Sequence, residues 1–275
     1  MSKKTAVLVQ AHNNVNYILT LAKVNPEVDF FVHIDKKIIF TVSKAIQTEE
    51  NIYFVPDNER IDVYWGDFSQ VEVTLYLMNM ANRFKKYDYF HLMSGECVPL
   101  KKFIEIEREW SECDLNYMEC RISKKTEWRM KTKVYHTQKK WMRKLRGKIL
   151  NRTYMIIGRY FNFSEFNNNE IYFGSQWFSI TKKVVLNILR LESESYFEKF
   201  RNTSCPDEHA FQMAAKLCEI NMENENRRFI KFEKFSSSPT YLNKESIENL
   251  SEEYWFVRKV NENNAIDYIN EKWGD

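Results

Sequence analysis

The chain has 275 residues, of which 44% are hydrophobic and 29% charged, with a net charge of +3. That balance excludes a disordered or fibrous protein and leaves core material for one large domain. Its 6 Gly, at 66, 95, 147, 158, 174 and 274, lie too far apart for G-x-G-x-x-G or G-x-x-x-x-G-K-[ST], so an ordinary dinucleotide fold and a P-loop are excluded.

The first segments alternate in character. Residues 5–10 (TAVLVQ), 29–35, 51–55 and 87–94 are short β-branched or aromatic runs that read as strands. Between them, 15–24 and 68–84 carry helical periodicity, and a helix over 101–110 follows the fourth strand. This alternation predicts a layered α/β fold with a largely parallel sheet, which binds ligands at the carboxyl ends of its strands. That edge carries His12, Asp35 and the turn Ser94-Gly95-Glu96. The apolar run 6–9 is too short for a signal-peptide core, and no stretch approaches the ~18 apolar residues of a membrane span.

A basic block then interrupts the pattern. Residues 121–152 hold thirteen Lys or Arg and one acid, Glu127, a local charge of +12 that leaves the rest of the chain at −9. Trp141, Met142, Leu145, Ile149 and Leu150 recur there at near-helical spacing, with Lys139, Lys140, Arg143, Lys144, Arg146 and Lys148 between them. Two readings stay open: an amphipathic helix on an anionic membrane surface, or a solvated basic face whose apolar side is core. Nucleic acid is disfavoured, because no binding module accompanies the patch. The block, to about residue 158, reads as an insertion into a single domain spanning 1–275. A strand over 171–181, two helices, a helix starting at Pro206, a strand over 228–232 and a helical C-terminal third follow, with 235–239 (FSSSP) as a loop. The five cysteines (97, 113, 120, 205 and 218) form no C-x-x-C, so reduced thiols in a cytoplasmic protein are expected rather than disulfides or structural zinc.

Few residues announce chemistry by spacing. No D-x-D occurs, so positive side chains rather than a carboxylate-held metal would have to offset charge on a diphosphate. Pro206-Asp207-Glu208 opens a helical stretch, where an acid stays ionised as a general base must, or is simply an acidic helix start. Asp35 could accept hydrogen bonds from a ligand or cap the next turn. His12, Arg228 and Lys259 are equally open between site and scaffold. Trp65-Gly66 and Gly174-Ser175-Gln176-Trp177 pair aromatics with glycine, as sugar sites and ordinary cores both do.

Taken in order, A-V-L-V-Q-A-H (6–12), V-H-I-D-K-K (32–37), V-Y-W-G-D-F-S-Q-V (63–71), Y-D-Y-F-H-L-M-S-G-E-C-V-P-L (87–100), Y-F-G-S-Q-W-F-S-I-T (172–181), C-P-D-E (205–208), R-F-I-K-F (228–232) and W-F-V-R-K (255–259) form a recognisable series. The chain resembles the core-2/I-branching β-1,6-N-acetylglucosaminyltransferases, a family that includes peptide xylosyltransferases. The resemblance runs from about residue 5 to 260. It implies a GT-A fold (Rossmann-like, a mostly parallel sheet flanked by helices) and a UDP-sugar donor, most simply UDP-GlcNAc. It also implies inversion at the anomeric carbon with no metal or other cofactor. Carried over by motif, Glu208 is the base, and Arg228 with Lys259 binds the donor phosphates, Arg258 rivalling Lys259. His12, Asp35 and Gln10 line the nucleotide pocket. Glu119, after a strand over 116–118, binds acceptor hydroxyls, and Ser94, Glu96, Ser175, Gln176 and Trp177 complete the sugar and acceptor side.

Animal members of that family carry a transmembrane anchor and several disulfides, and this sequence shows neither. The resemblance therefore points to a bacterial-type, cytoplasmic enzyme of surface polysaccharide or glycolipid synthesis. Its acceptor would be a glycan or lipid-linked glycan, and 121–152 could hold it peripherally on the inner face of the membrane. The alternatives are a transferase of the same family using UDP-xylose or another UDP-sugar, and a non-catalytic protein that binds anionic glycan or nucleic acid.

Overall fold

The computed structural model describes residues 4–40, 50–113, 115–142, 144–166, 171–218, 220, 222–234, 236 and 238–274. Strand β1 (Thr5–Ala11) leads into helix α1 (Val15–Lys23), followed by β2 (Asp29–Ile34), β3 (Ile52–Phe54), α2 (Ser69–Phe84), β4 (Tyr89–Ser94), β5 (Cys97–Pro99) and α3 (Phe103–Ser111). The middle of the chain supplies β6 (Asn116–Tyr117), β7 (Arg121–Ile122), α4 (Trp128–Lys131), α5 (Leu145–Tyr160), β8 (Tyr172–Phe173), β9 (Ser179–Thr181) and α6 (Lys182–Ser193). The remainder forms α7 (Ala210–Leu217), β10 (Met222–Glu223), β11 (Arg228–Ile230), α8 (Lys244–Glu248), β12 (Phe256–Arg258) and α9 (Glu262–Trp273).

Seven strands in the order β10-β6-β9-β4-β1-β2-β3 make the central sheet. β1 lies between β2 and β4 and runs parallel to both, and only β9 is reversed. Every residue of β1 is buried because helices cover both faces of the sheet. Ala6 and Leu8 pack with α2, α6 and α7, while Val7 and Val9 pack with α1, α3 and α9. A strand covered on both sides needs no polar alternation, which is why it reads as a continuous apolar run. The expected α/β architecture, a mostly parallel sheet flanked by helices, is the one observed.

The parallel register brings the chain out of β1, β2 and β4 at one edge, and His12, Asp35 and Glu96 follow those strand ends. A second sheet, β11-β12-β5, is joined to this edge, with Arg258 opposite Cys97 just past β4.

Four segments differ from the sequence expectation. Residues 171–181 are not one strand: β8 pairs with β7, β9 joins the central sheet, and 174–178 crosses between them. Pro206–Glu208 is a single 3-10 turn, because Cys205 before it has φ 49° and His209 after it has φ −132°, and α7 starts only at Ala210. The C-terminal third is broken by β12, an aromatic and β-branched run that pairs with both β5 and β11. Lys259 therefore follows a strand rather than ending a helix. In the basic block the helix begins at Leu145, so Met142 lies buried before it and Trp141 stacks on His136. Residues 235 and 237 of the expected loop lie outside the described residues.

Candidate active site

Glu96 organises the cations at the sheet edge. Its side chain is fully buried and pairs with Lys259 Nζ at 2.8 Å and Arg258 Nη2 at 3.6 Å. The Tyr241 hydroxyl and, at 3.2 Å, the Asn13 amide donate to its Oε1. Burial alone would raise the Glu96 pKa, but hydrogen bonds from Lys259 and Tyr241 and the charges of Arg258 and Lys259 outweigh it, lowering the pKa to about 2. Arg258 also donates to Ser94 Oγ and lies over the Trp177 ring at 4.8 Å, a stacking that favours guanidinium. His12 stands exposed at the rim. Desolvation lowers its pKa and Glu96 raises it, with Lys259 and Arg258 tipping the balance downward.

The lowered Glu96 pKa sets an expected acid sensitivity. A carboxylate with a depressed folded pKa contributes its full stability above the unfolded value, near 4.5, and loses it as pH falls towards 2. The contribution is roughly 3 kcal/mol. Glu96→Gln should therefore flatten the urea stability profile between pH 5 and the acid limit (~pH 2–5). A variant that kept the wild-type slope there would show that the loss has another source.

Glu208 lies 112 residues further along the chain but is fixed just as firmly. It is half-buried and ion-paired with Arg129 of α4. The turn that carries it rests on Trp65-Gly66: Gly66 N donates to Gln70 Oε1 at 2.7 Å, and Cys205 N donates to Gly66 O at 2.9 Å. Gly66 has φ +69°, and a Cβ there would meet Cys205 Sγ at 3.1 Å. Only glycine combines that conformation with so close an approach. Gly66→Ala is expected to lower unfolding free energy by about 2 kcal/mol, read as a drop in the urea midpoint. An unchanged midpoint would separate this turn from the stability of the 205–208 segment.

Asp207, beside Glu208, behaves differently. It is buried, its Oδ1 has no hydrogen-bond partner, and burial together with the Glu208 charge pushes its carboxyl towards the neutral form. Glu208, and not Asp207, makes the ion pair with Arg129. Phe173 underlies both acid–cation pairs: Arg129 lies over its ring at 5.8 Å and Arg121 at 5.5 Å. Arg121 in turn pairs with Glu119 at 2.8 Å. Gly174 closes the contact, since its N donates to Glu208 O at 2.9 Å and a Cβ there would strike the Glu119 carbonyl. The structure therefore brings Glu119 and Glu208 to one place.

The crossing segment 174–178 joins this acid pair to the cations of Glu96. Ser175 caps Trp177 N at 3.3 Å, and its carbonyl accepts from Gln212 at 2.8 Å. Gln176 donates to Gln10 at 3.0 Å and accepts from Gln70 at 3.0 Å, while Gln10 donates to Thr74 and the Gln70 carbonyl. Gln10 and Gln176 therefore use their amides to lock β1, α2 and the crossing segment together beneath the cleft. Asp35 accepts from the backbone of Lys37 (3.0 Å) and Val63 (3.3 Å), and pairs with Lys37 Nζ at 3.0 Å. Lys37 also lies 4.2 Å from the centre of the Tyr64 ring, so Asp35, Lys37 and Tyr64 form one polar-aromatic corner.

Arg228 is placed apart from Lys259's partners. It is buried, donates to the carbonyls of Asn226, Leu92 and Phe178 and to Ser179 Oγ, and stacks on Phe256 at 4.7 Å. Burial pulls its pKa down to about 9. It lines a cavity of about 220 Å³ with Glu119, Asn226 and Arg227. The cation that stands with Lys259 is Arg258. Sequence reasoning missed Arg129, Tyr241 and Gln70: the first was one of many cations in its block, and the others carry no local signal. Among the described residues no group of three His, Cys, Asp or Glu is arranged to hold a metal ion, and no helix is long and apolar enough to cross a membrane.

No curated protein sequence matches the chain. Among solved structures, it is similar to the galactosyltransferase LgtC in complex with donor and acceptor sugar analogs, at 14% identity and a TM-score of 0.37, over 82% of this chain and 75% of that one. The family model for Core-2/I-Branching enzyme matches residues 9–254. The match takes in the edge with His12, Asp35 and Glu96, the Trp65-Gly66 turn, the crossing segment and the Glu208 turn, and the chain belongs to the Core-2/I-branching enzyme family of glycosyltransferases.

Proposed function

We propose that the protein transfers a sugar, GlcNAc by preference, from a UDP-sugar to a hydroxyl of a glycan or lipid-linked glycan in a single inverting displacement without a metal. One observation carries the reading: a carboxylate, Glu208, and a cation pair, Arg258 and Lys259, are set at the two ends of one locked crossing segment. Glu208 takes the proton from the acceptor hydroxyl as its oxygen bonds to the anomeric carbon, and the bond from that carbon to the diphosphate breaks. The charge that appears on the phosphate is met by Lys259 and Arg258, preorganised by Glu96 and therefore needing no rearrangement.

In this reading Arg228 acts from beneath, tying the carbonyls of β4 and 178 under β12. Asp35, Lys37 and Tyr64 form the nucleoside corner with His12 at its rim. Glu119, held at the base by the contact with Gly174, orients acceptor hydroxyls. Surface polysaccharide or glycolipid assembly suits the resemblance to bacterial-type members and the basic block.

The test is UDP release from a panel of UDP-sugars, first without acceptor and then with glycan acceptors, followed by the anomeric coupling of the product. One donor standing out, with inverted product, supports the reading. A standout with UDP-xylose or another UDP-sugar replaces the GlcNAc preference alone. A flat panel, or activity abolished by EDTA, overturns it.

A further inference from the structure

Helix α5 buries the wrong side for an ordinary surface helix. Its buried residues are Gly147 and Gly158, the second lying against Trp128 and Thr132 at α4. The opposite side exposes Leu145 (72%), Ile149 (59%), Ile156 (48%) and Tyr160 (78%), and the chain beyond exposes Phe161 and Phe163 (61% each). At about 100° per residue those four helical positions fall within an arc of roughly 60°, a continuous outward stripe rather than scattered apolar residues.

Charge frames the stripe. Lys148, Arg152 and Arg159 fall along one edge and Arg146 along the other. Between Glu127 and Glu165 the sequence has eleven Lys or Arg and no acid. The helix is braced from behind: His136 bonds Asn151 at 2.8 Å and stacks between Trp141 and Tyr154. The fold thus holds an apolar, cation-edged face outward.

We infer that the outer face of α5, with residues 161–163 that follow it, is a docking surface for an anionic lipid bilayer. An apolar stripe with cations at its margins seats in the interface plane, its apolar side chains reaching the acyl boundary while Lys and Arg meet the headgroups. Charge complementarity selects this occupant. A second copy of the helix would bring its cations against these, and a nucleic acid would leave the aliphatic side chains in water. The docking face differs from the segment singled out in the sequence, because Met142 is core and Trp141 is part of the brace. It is independent of the chemistry at Glu208.

The experiment is co-sedimentation of the full chain with phosphatidylcholine vesicles with and without phosphatidylglycerol, at low and high salt. Binding is expected only with the anionic lipid and should weaken with salt. Ile149→Glu with Ile156→Glu should weaken it at least about a hundredfold, since each buried aliphatic side chain is worth roughly tenfold or more. Arg152→Gln with Arg159→Gln should weaken it about thirtyfold. Leu186→Glu on α6, an exposed leucine away from this face (44%), should bind as the wild type does. Absence of binding, equal binding to neutral vesicles, or wild-type binding by the Ile149→Glu, Ile156→Glu protein would each overturn the proposal. So would preference for a double-stranded oligonucleotide that survives those two substitutions.

Discussion

Glu208→Gln is expected to lower kcat about a thousandfold while UDP still binds with nearly wild-type affinity, because a general base contributes on the order of 10²–10⁴ in rate. The amide keeps the size of the carboxylate and can still accept from Arg129, so the turn 206–208 retains its shape. It can no longer take a proton. Asp207 is no substitute, for burial and the neighbouring charge drive its own carboxyl towards the neutral form; Asp207→Asn should leave the rate within a few fold. Removing the Glu208 charge leaves Arg129 bonded to a neutral amide, so the substitution should also cost stability, about 2 kcal/mol for a partly buried ion that loses its counter-charge. Arg129→Met combined with Glu208→Gln should recover much of that stability and none of the rate. Measuring UDP release alongside calorimetric UDP binding separates the two effects. Retention of more than a tenth of wild-type kcat by Glu208→Gln would remove Glu208 from the reaction.

The sheet was legible because each of its first four strands is a short apolar run bounded by helical periodicity, and a strand buried on both faces writes its burial directly into the sequence. The edge that carries His12, Asp35 and Glu96 followed from parallel strand direction alone. What could not be read were arrangements set by distant contacts. Residues 171–181 have strand composition throughout, yet the chain must cross at Gly174 to pass the Glu119 carbonyl. Pro206 promised a helix start, but the left-handed Cys205, docked on Gly66, turns the chain once and releases it. Gln10 and Gln176 bond each other and Gln70, a network that no local pattern announces. Arg129 was hidden for a different reason: in a block of thirteen cations, only the packing of α4 marks the one that meets Glu208.

The second large effect belongs to Lys259. Lys259→Ala should lower kcat/KM about a hundredfold or more, the usual loss when a group that meets developing negative charge is removed, and should weaken UDP binding at the same time. That result alone is ambiguous, because Lys259 also balances the buried Glu96, and removing it leaves that carboxylate with Arg258, at 3.6 Å, as its remaining counter-charge. The double variant Glu96→Gln, Lys259→Gln resolves it. There the carboxylate and ammonium leave together, and Tyr241 and Asn13 can still bond the amide at 96. If Lys259 serves only to neutralise Glu96, the double variant regains both stability and turnover. If it meets the diphosphate, stability returns and turnover does not. Arg258 provides a graded control, since Trp177 and Ser94 hold it independently of Glu96. Arg258→Lys keeps the charge but loses the guanidinium that lies over the indole. An intermediate loss, of about tenfold, is expected from the misplaced charge.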